Sequence, residues 1–358
     1  MNRITRNQAA LCFVVLAVWL LAAGCGSTSV GARLVLPPTT IVGDPHGLRG
    51  DIYDAYELFD RGEEAFVQAQ WPRAQVLYER LLREYPQSDI APMARYNLAL
   101  VNERQGNWGD ALAVYEGFGM PPGKGVRLEE VRLRKGICLS RLKRWDEAQA
   151  VFESVLRQFG VPPLEYNEAR VRLGIAAFHN EREVLAEHYL SQALAQYEIN
   201  AERGVAYARA AFGQGYFVMG EIYFRRFEQV ELAGDTAMLS RSLREKAEAF
   251  VIAREHYTRA IRTYEPGVVV SSLFRIGMGY ELFYRTVLAA PDPAELTANE
   301  RRAYRDKLAE KLKPLLDKAL AAYRRNLDLA QQMNVSGSWV EQTQKRYRDL
   351  SDFAQQAP

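Results

Sequence analysis

The chain has 358 residues, of which 48% are hydrophobic and 25% are charged, a composition typical of a folded protein body. Its 46 lysine and arginine residues nearly balance its 44 aspartate and glutamate residues. This balance argues against a general nucleic-acid-binding protein, which needs a basic stripe. The three cysteines follow no zinc-binding or redox spacing.

Residues 1–24 predict a secretory signal peptide. Arg3 and Arg6 precede an uninterrupted apolar run from Ala9 to Ala23. A run of this length is short for a helix that spans a bilayer and typical of the hydrophobic region of a signal peptide. We therefore expect residues 1–24 to be removed from the mature protein.

The run ends in the sequence LLAAGC, and small residues before a cysteine resemble the lipobox of bacterial lipoproteins. The resemblance implies cleavage before Cys25, a lipid on Cys25, and 44 basic and 44 acidic residues in the mature chain. It also implies an outer-membrane location facing the periplasm, since Gly26 stands where inner-membrane lipoproteins often have Asp. An uncleaved anchor, or an ordinary signal cleavage near Ala23, is the alternative. Residues 25–50 are rich in Gly, Pro, Ser and Thr, which predicts a lipidated cysteine followed by a flexible tether.

Residues 51–200 contain a unit that recurs at a constant interval. Trp71, Trp108 and Trp145 are evenly spaced, and each is followed by an Ala three residues later and an aromatic residue four residues after that. Apolar residues recur at intervals of three and four around each Trp, which predicts two helices per unit. One such hairpin cannot bury its apolar face alone, whereas a stack of hairpins can.

This unit resembles the tetratricopeptide repeat, a pair of antiparallel helices in about 34 residues. Four successive units match its small residue at position 8, its Ala at position 20 and its large apolar residue at position 24. The matches are Gly62, Ala99, Gly136 and Gly174 at position 8; Ala74, Ala111, Ala148 and Ala186 at position 20; and Tyr78, Tyr115, Phe152 and Leu190 at position 24. The aromatic residue of position 11 is absent. The resemblance implies an all-α solenoid in which each small residue marks a close approach of two helices.

Residues 201–335 predict two longer units of the same kind. Gly220 and Gly277 fill position 8, and the residues around them match in the same order. The position-20 residues, Ala253 and Ala319, follow much later than in the regular units. We expect the extra residues to lengthen the helices and to form a loop at each tip. The insertions lie around Ala233 and Pro291.

Residues 336–358 predict a C-terminal capping helix and tail. Their apolar stripe comprises Trp339, Tyr347, Leu350 and Phe353, with polar residues between. A repeat array needs such a terminal element, with one apolar and one polar face. The predicted fold is therefore an α-solenoid of about six hairpins, the last two with insertions, closed by one helix.

No motif in the chain predicts catalysis, a cofactor or a metal site. His179 and His188 lie on different helices of one hairpin and belong to no metal-binding pattern. Gly123 and Lys124 lack the following Ser or Thr of a phosphate-binding loop. Cys138 lies in a predicted buried helix and is expected to be a core residue. We expect a protein without enzymatic activity.

The resemblance implies that the first helix of each unit lines a concave groove, with positions 2, 5, 9, 12 and 13 facing inward. Chaperone-binding repeats place Lys at position 5 to hold a C-terminal carboxylate, and this chain has apolar residues there. Arg recurs at position 13, with His179 in the intervening unit. The candidate partner-binding groove comprises Phe59, Tyr96, Arg104, Leu133, Arg141, Phe217, Phe224 and Arg225. An apolar strip beside arginines suits an extended or helical segment of another protein; a solvated groove without a ligand is the alternative.

These expectations describe a non-enzymatic scaffold that binds other cell-envelope proteins. Roughly residues 55–200, including YERLLREYPQSDIAPMARYNLALV, resemble the repeats of the outer-membrane β-barrel assembly lipoprotein and of the periplasmic coordinator of envelope constriction and peptidoglycan synthesis. Two alternatives remain, a lipoprotein of a gliding-motility envelope complex and a regulator of peptidoglycan synthesis or hydrolysis. The implied partners are barrel proteins, peptidoglycan enzymes or motility subunits, with the membrane contacted through Cys25.

Overall fold

The computed structural model describes residues 53–119, 122–203, 208–293 and 296–356. The chain divides into two units, Met1–Tyr53 and Asp54–Pro358, and every described helix lies in the second. The expected signal peptide, the lipidation site at Cys25 and the tether lie outside the described residues.

Thirteen α-helices and no β-strand occur in the described part of the chain. They are α1 (Ala55–Val67), α2 (Trp71–Glu84), α3 (Ala91–Gln105), α4 (Trp108–Glu116), α5 (Leu128–Arg141), α6 (Trp145–Leu156), α7 (Pro163–His179), α8 (Glu183–Glu202), α9 (Arg209–Gln229), α10 (Thr236–Ile261), α11 (Pro266–Ala289), α12 (Ala298–Gln332) and α13 (Ser338–Gln356).

The first twelve helices form six hairpins, α1–α2 through α11–α12, and each hairpin packs against the next. First helices of neighbouring hairpins also touch directly, α1 with α3, α5 with α7, α7 with α9 and α9 with α11. The last helix, α13, packs against α11 and α12. The predicted all-α stack of hairpins is confirmed.

The turn inside each of the four regular hairpins has the same backbone geometry. Its central residue adopts a left-handed conformation, which Gly106 reaches with φ of 80° and without strain. Ala69, Lys143 and Glu181 hold the same place in the other hairpins, with φ between 56° and 60°. The next residue donates a backbone hydrogen bond across the turn, as from Arg144 to Leu139 at 2.9 Å. The second helix therefore starts immediately after the first one ends.

Positions 8 and 24 of each hairpin face each other at the closest approach of its two helices. A Cβ atom on any position-8 glycine would lie 2.4–2.6 Å from the facing side chain, which real structures do not permit. The pairs are Gly62 with Tyr78, Gly136 with Phe152, Gly174 with Leu190, Gly220 with Tyr257 and Gly277 with Tyr323. The position-20 alanines are fully buried, and they are Ala74, Ala111, Ala148, Ala186, Ala253 and Ala319. The close helix contacts predicted from these residues are confirmed.

The extra residues of the last two hairpins lengthen their helices. Helices α9 to α12 have 21, 26, 24 and 35 residues. Two long cations on the second helices close the ends of the first ones. The buried Lys246 Nζ donates hydrogen bonds to the carbonyl oxygens of Phe227 and Val230, at 2.6 and 2.9 Å. Arg305 donates in the same way to the carbonyl oxygens of Leu288 and Ala290.

The stripe of α13 packs onto the apolar cluster of the last two hairpins. Leu350 is fully buried there, and Trp339, Tyr347 and Phe353 are partly buried against the same cluster. Trp339 also reaches across the first helices of two hairpins, with its ring 5.2 Å from Phe274 and 6.3 Å from Phe217. Helix α13 therefore covers the apolar surface at the C-terminal end of the stack.

Candidate functional site

Three of the predicted groove residues are buried in the core. Phe59, Leu133 and Phe224 expose only 4%, 5% and 1% of their surfaces. Phe59 packs against Tyr78 of its own hairpin, with the ring centroids 5.9 Å apart. Assigning these three side chains to a partner-binding surface is therefore corrected. Their apolar side chains fill contacts between packed helices, so they offer little exposed surface to a partner.

Two further groove residues, Tyr96 and Phe217, are half-buried. The Tyr96 hydroxyl donates a hydrogen bond to Glu130 of the next hairpin. Phe217 lies 5.6 Å from Tyr257 and faces Trp339 of α13. Both rings therefore contribute mainly to packing, and α13 occupies the groove beside Phe217.

Arg104, Arg141 and Arg225 are exposed at position 13 of three hairpins, and His179 holds this position in the hairpin between the last two. We call these four residues the position-13 row. The guanidinium carbon of Arg141 lies 5.3 Å from the ring centroid of Trp108 in the preceding hairpin. Arg225 lies over a ring of the preceding hairpin in the same way, 4.2 Å from the centroid of Phe178. Cation–π contacts of this kind stabilise by about 0.5–1 kcal/mol at exposed sites.

The aromatic support of the row extends to the histidine. His179 stacks on Trp145 with a centroid distance of 4.0 Å and an interplanar angle of 10°. Burial first, and then the positive charges of Arg225 and Lys143, lower the pKa of His179. Support of a row member is a role of Trp108 and Trp145 that the sequence alone did not predict. The signal that pointed to it is the nearly equal interval from Trp108 to Arg141 and from Trp145 to His179.

The charge of the row is not neutralised by the fold. Among the described residues, Arg104, Arg141 and Arg225 have no carboxylate within 4.0 Å. Three arginines next to these turns are paired with carboxylates. The pairs are Arg144 with Glu147 at 2.7 Å, Arg182 with Asp146 at 3.6 Å and Arg226 with Glu187 at 2.5 Å. The row is thus an exposed line of side chains, and an aromatic ring lies against Arg141, His179 and Arg225.

Buried tyrosines at position 24 join neighbouring elements through glutamates. In each joint the tyrosine hydroxyl and an arginine of the following element donate hydrogen bonds to one carboxylate. The joints are Tyr115–Glu103–Arg134 (2.7 and 3.2 Å), Tyr257–Glu221–Arg275 (2.6 and 2.6 Å) and Tyr323–Glu281–Arg346 (2.9 and 3.2 Å). Glu103 and Glu221, which lie beside the predicted groove, are therefore committed to holding the hairpins together.

Raising the pH above about 10 is expected to destabilise the protein through its buried tyrosines. Burial raises the pKa of Tyr78 to about 12, and burial together with the charge of Glu221 raises the pKa of Tyr257. In an unfolded chain the tyrosine hydroxyl ionises near pH 10. Each raised pKa therefore contributes stability that is complete below pH 10 and is lost as the pH rises through the folded value.

Urea unfolding between pH 8 and pH 11.5 measures this effect. Above pH 10 we expect the free energy of unfolding to fall by up to about 1.4 kcal/mol per pH unit for each such tyrosine. The Tyr78→Phe variant keeps the ring against Gly62 and lacks the ionisable hydroxyl. Its loss of stability above pH 10 should be smaller than that of the wild type. Equal pH dependence in the two proteins would contradict the assignment.

The described residues offer little for catalysis or metal binding. No group of three or more His, Cys, Asp or Glu side chains in the described ranges is placed to hold a metal ion. Burial raises the pKa of the Cys138 thiol to about 12, so this thiol stays protonated and is a poor nucleophile. A cavity of about 320 Å³ between α5, α7 and α9 is lined by Leu133, Ile137 and Leu164, with Glu165 and Glu168 at its rim. Both of these carboxylates are paired, with Arg127 and Arg172.

No described helix is both long and apolar enough to cross a membrane.

Stacked hairpins with small residues at fixed close contacts define a helical-repeat protein of the solenoid type. The family model described as tetratricopeptide repeat matches residues 59–122 and 133–201. These two ranges of the chain are tetratricopeptide repeats, and such repeats are typically scaffolds that bind other proteins.

Comparison with solved structures finds other tetratricopeptide proteins. One from Parabacteroides merdae is 13% identical with a TM-score of 0.41, over 83% of this chain and 98% of that one. One from Bacteroides fragilis is 12% identical with a TM-score of 0.27, over 83% and 99%. The tetratricopeptide domain of P58(IPK) is 17% identical with a TM-score of 0.29, over 85% and 100%. No curated protein sequence gives a significant match.

Proposed function

We propose that the protein is a non-enzymatic scaffold of the cell envelope, held at the outer membrane by a lipid on Cys25 and facing the periplasm. Its repeats bind other envelope proteins, and the position-13 row is part of the surface that they use. The row carries this proposal, because its exposed side chains recur in successive hairpins and the fold leaves their charge unpaired. The sequence LLAAGC supports the lipid anchor.

The absence of an enzymatic role belongs to the same proposal. Two described carboxylates near the groove, Glu103 and Glu221, are engaged in joints between hairpins. The thiol of Cys138 is buried. General acid–base or nucleophilic catalysis needs an accessible group with a suitable pKa beside a substrate pocket. The features of the chain favour binding over catalysis.

Affinity purification of the tagged full chain from solubilised envelopes tests the scaffold role. Co-elution of outer-membrane barrel subunits, peptidoglycan enzymes or motility-complex subunits would select among the three envelope processes that the sequence leaves open. Each eluted protein must depend on the tagged chain, as judged against an untagged strain. If only background proteins elute after chemical cross-linking, the scaffold proposal fails.

Replacing Cys25 with Ser is expected to release the protein from the membrane fraction or to leave an unprocessed precursor. The acyl chains are attached to the thiol, and each buried CH₂ group contributes about 0.8 kcal/mol to membrane binding. Fractionation, mass and electrophoretic mobility provide the measurement. Cys138→Ser is the matched control, because this buried cysteine carries no lipid in the proposal. If the Cys25→Ser protein fractionates and migrates like the wild type, the lipid anchor is excluded.

A further inference from the structure

We infer that the position-13 row binds an extended, acidic polypeptide segment whose carboxylates recur about every third residue. This inference rests on the proposed function, because it names the chemistry of the partner segment that the scaffold holds. It follows from the charge of the row, from its aromatic supports and from the spacing of the hairpins.

The helix dipole does not account for the row by itself. Cations are favoured in the last turn of a helix, and Arg104, Arg141 and His179 lie in the last turns of α3, α5 and α7. Arg225, however, lies four residues before Gln229, the last residue of α9. It keeps position 13 although its helix continues. All members of the row hold the same position in the repeat, on the side that faces the groove. Their distance from the end of the helix differs.

The aromatic rings next to Arg141 and Arg225 orient these side chains toward an acidic ligand. A guanidinium group stacked on an aromatic ring keeps its N–H donors in the plane of the stack, where they point toward solvent or a ligand. The guanidinium carbons of Arg141 and Arg225 lie 5.3 and 4.2 Å from the centroids of the Trp108 and Phe178 rings, within the range of such a contact. A carboxylate can accept two parallel hydrogen bonds from such a fork, which gives direction as well as charge attraction. His179, held flat on Trp145, adds a hydrogen-bonding group between them.

The spacing of the hairpins selects the form of the ligand. The first helices that carry Arg141, His179 and Arg225 are in contact, α5 with α7 and α7 with α9, and helices packed in this way have axes roughly 8–10 Å apart. A polyproline II chain advances about 3.1 Å per residue and repeats every three residues, or about 9.3 Å. Its every third side chain therefore meets successive members of the row. In a β-strand, side chains on the same face are roughly 6.6 Å apart. This distance is shorter than the spacing of the helices, so a strand would match the row at one hairpin and not at the next.

The charge of the rest of the chain makes the row distinctive. Basic and acidic residues nearly balance over the whole sequence, and three cations next to the row, Arg144, Arg182 and Arg226, are paired with carboxylates. A partner with alternating charges would meet repulsion at the row, whereas a segment with carboxylates in register would meet complementary charge at the hairpins that carry Arg104, Arg141 and Arg225.

Binding of fluorescein-labelled (Pro-Pro-Glu)₅ to the full chain in uncharged detergent tests the inference by fluorescence anisotropy. We expect saturable binding that weakens when the salt concentration rises, since exposed charge contacts are screened. The (Pro-Pro-Gln)₅ peptide should not bind. A peptide with five Glu in one block followed by ten Pro should bind at least about tenfold more weakly, because its carboxylates fall out of register with the row. Equal binding of the two acidic peptides overturns the proposed spacing.

The triple variant Arg104→Glu, Arg141→Glu, Arg225→Glu should lose at least about tenfold in affinity for (Pro-Pro-Glu)₅. The charge-matched control changes Arg203, Arg262 and Arg324 to Glu, three exposed residues without a carboxylate within 4.0 Å in the described ranges. The control should bind like the wild type, and circular dichroism should show equal helicity in all three proteins. Unchanged binding by a folded triple variant, or equal loss in the control, overturns the inference. If the triple variant loses helicity, the single variant Arg225→Gln is measured instead, and unchanged binding of this variant overturns it.

Competition distinguishes a polypeptide site from a general anion site. Vesicles of anionic phospholipid and a short single-stranded DNA of matched length are added to the peptide complex. If either displaces the peptide as well as unlabelled (Pro-Pro-Glu)₅ does, the row is a non-selective polyanion site and the inference is overturned. The envelope purification separates this failure from failure of the scaffold role. Partners that elute equally with the wild type and the triple variant would leave the scaffold role standing and remove the row from it.

Discussion

Ala148→Arg is expected to unfold the third hairpin and to lower the melting temperature sharply, whereas Ala150→Arg should have little effect. The two residues lie on the same helix, α6. Ala148 is fully buried at the contact with α5, and Ala150 is exposed. Overpacking a core contact costs about 1–3 kcal/mol, and an unpaired buried charge costs about 3–5 kcal/mol. The two costs together approach the whole stability of many domains, about 5–15 kcal/mol.

Thermal and urea unfolding followed by circular dichroism provides the measurement. A loss of about 5 kcal/mol corresponds to a decrease of roughly 10 °C or more for a chain of this size. In a repeat array the loss begins locally, so hydrogen exchange in α5 and α6 should rise before that in α12. If Ala148→Arg melts like the wild type, residue 148 is not at a close helix contact and the repeat frame is shifted.

The sequence was sufficient to predict which small residues mark the close approaches of two helices. Each contact needs a small residue on one helix and a large one on the other, and the two recur at constant spacing. The interval from Gly62 to Tyr78 equals the interval from Gly136 to Phe152. The longer hairpins keep the partners and change the interval, because their helices are extended between Gly277 and Tyr323. The recurring pattern of small and large residues therefore predicts the hairpins even where insertions change the length of the repeat.

The depth of each groove residue was not predictable in the same way. Periodicity assigns a residue to a face of a helix, and it does not report how closely the next hairpin covers that face. Phe59 and Leu133 were placed on the groove and are buried, because the neighbouring first helices pack directly against each other. Arg104 and Arg141, on the other side of the same face, remain exposed. Long polar side chains keep their charged ends in water where short apolar ones are covered.

Contacts between hairpins were also invisible in the sequence. Glu221 accepts hydrogen bonds from Tyr257 and from Arg275, which is far away along the chain. The partners lie on three different helices, and only the packing of α9, α10 and α11 brings them together. The same holds for Trp339, whose approach to Phe217 depends on where α13 ends up on the stack. A single sequence predicts the contacts that recur in every hairpin. Contacts that occur only once in the fold are seen only in the structure.

The exposed cations and the buried carboxylates of the groove have different roles. Glu103, Glu221 and Glu281 are tied to tyrosines and arginines, and they fix one helical element against the next. The position-13 row is left with charge and without a partner in the described part of the chain. Because these joints hold the hairpins rigidly, the distances between members of the position-13 row stay constant. An extended ligand can match the row only if those distances are constant.

Gly277→Val is expected to destabilise the last hairpin by about 1–3 kcal/mol through overpacking. A Cβ at this position would lie 2.6 Å from the Tyr323 ring. Tyr323 is fully buried, and its hydroxyl is held by Glu281 at 2.9 Å, so the ring has no free space to move into. The second hairpin has Ala99 at the equivalent place and accommodates one methyl group there. Valine adds two further methyl groups, and the helices can separate that far only by breaking the joint at Glu281.

Gly267→Val supplies the matched control, since it makes the same substitution in the same helix, α11. A Cβ at Gly267 would meet nothing within 4 Å. Replacing a helical Gly generally stabilises a helix by some tenths of a kcal/mol, and that benefit applies at both positions. Subtracting the control therefore isolates the contact with Tyr323. Urea unfolding, with hydrogen exchange to locate the loss in α11 to α13, gives the difference. A Gly277→Val protein as stable as the Gly267→Val protein would mean that α11 and α12 lie further apart than described. A loss spread evenly over all hairpins would mean that the array unfolds as one cooperative unit, in which case the joint at Glu281 would transmit the damage from α12 to the rest of the stack.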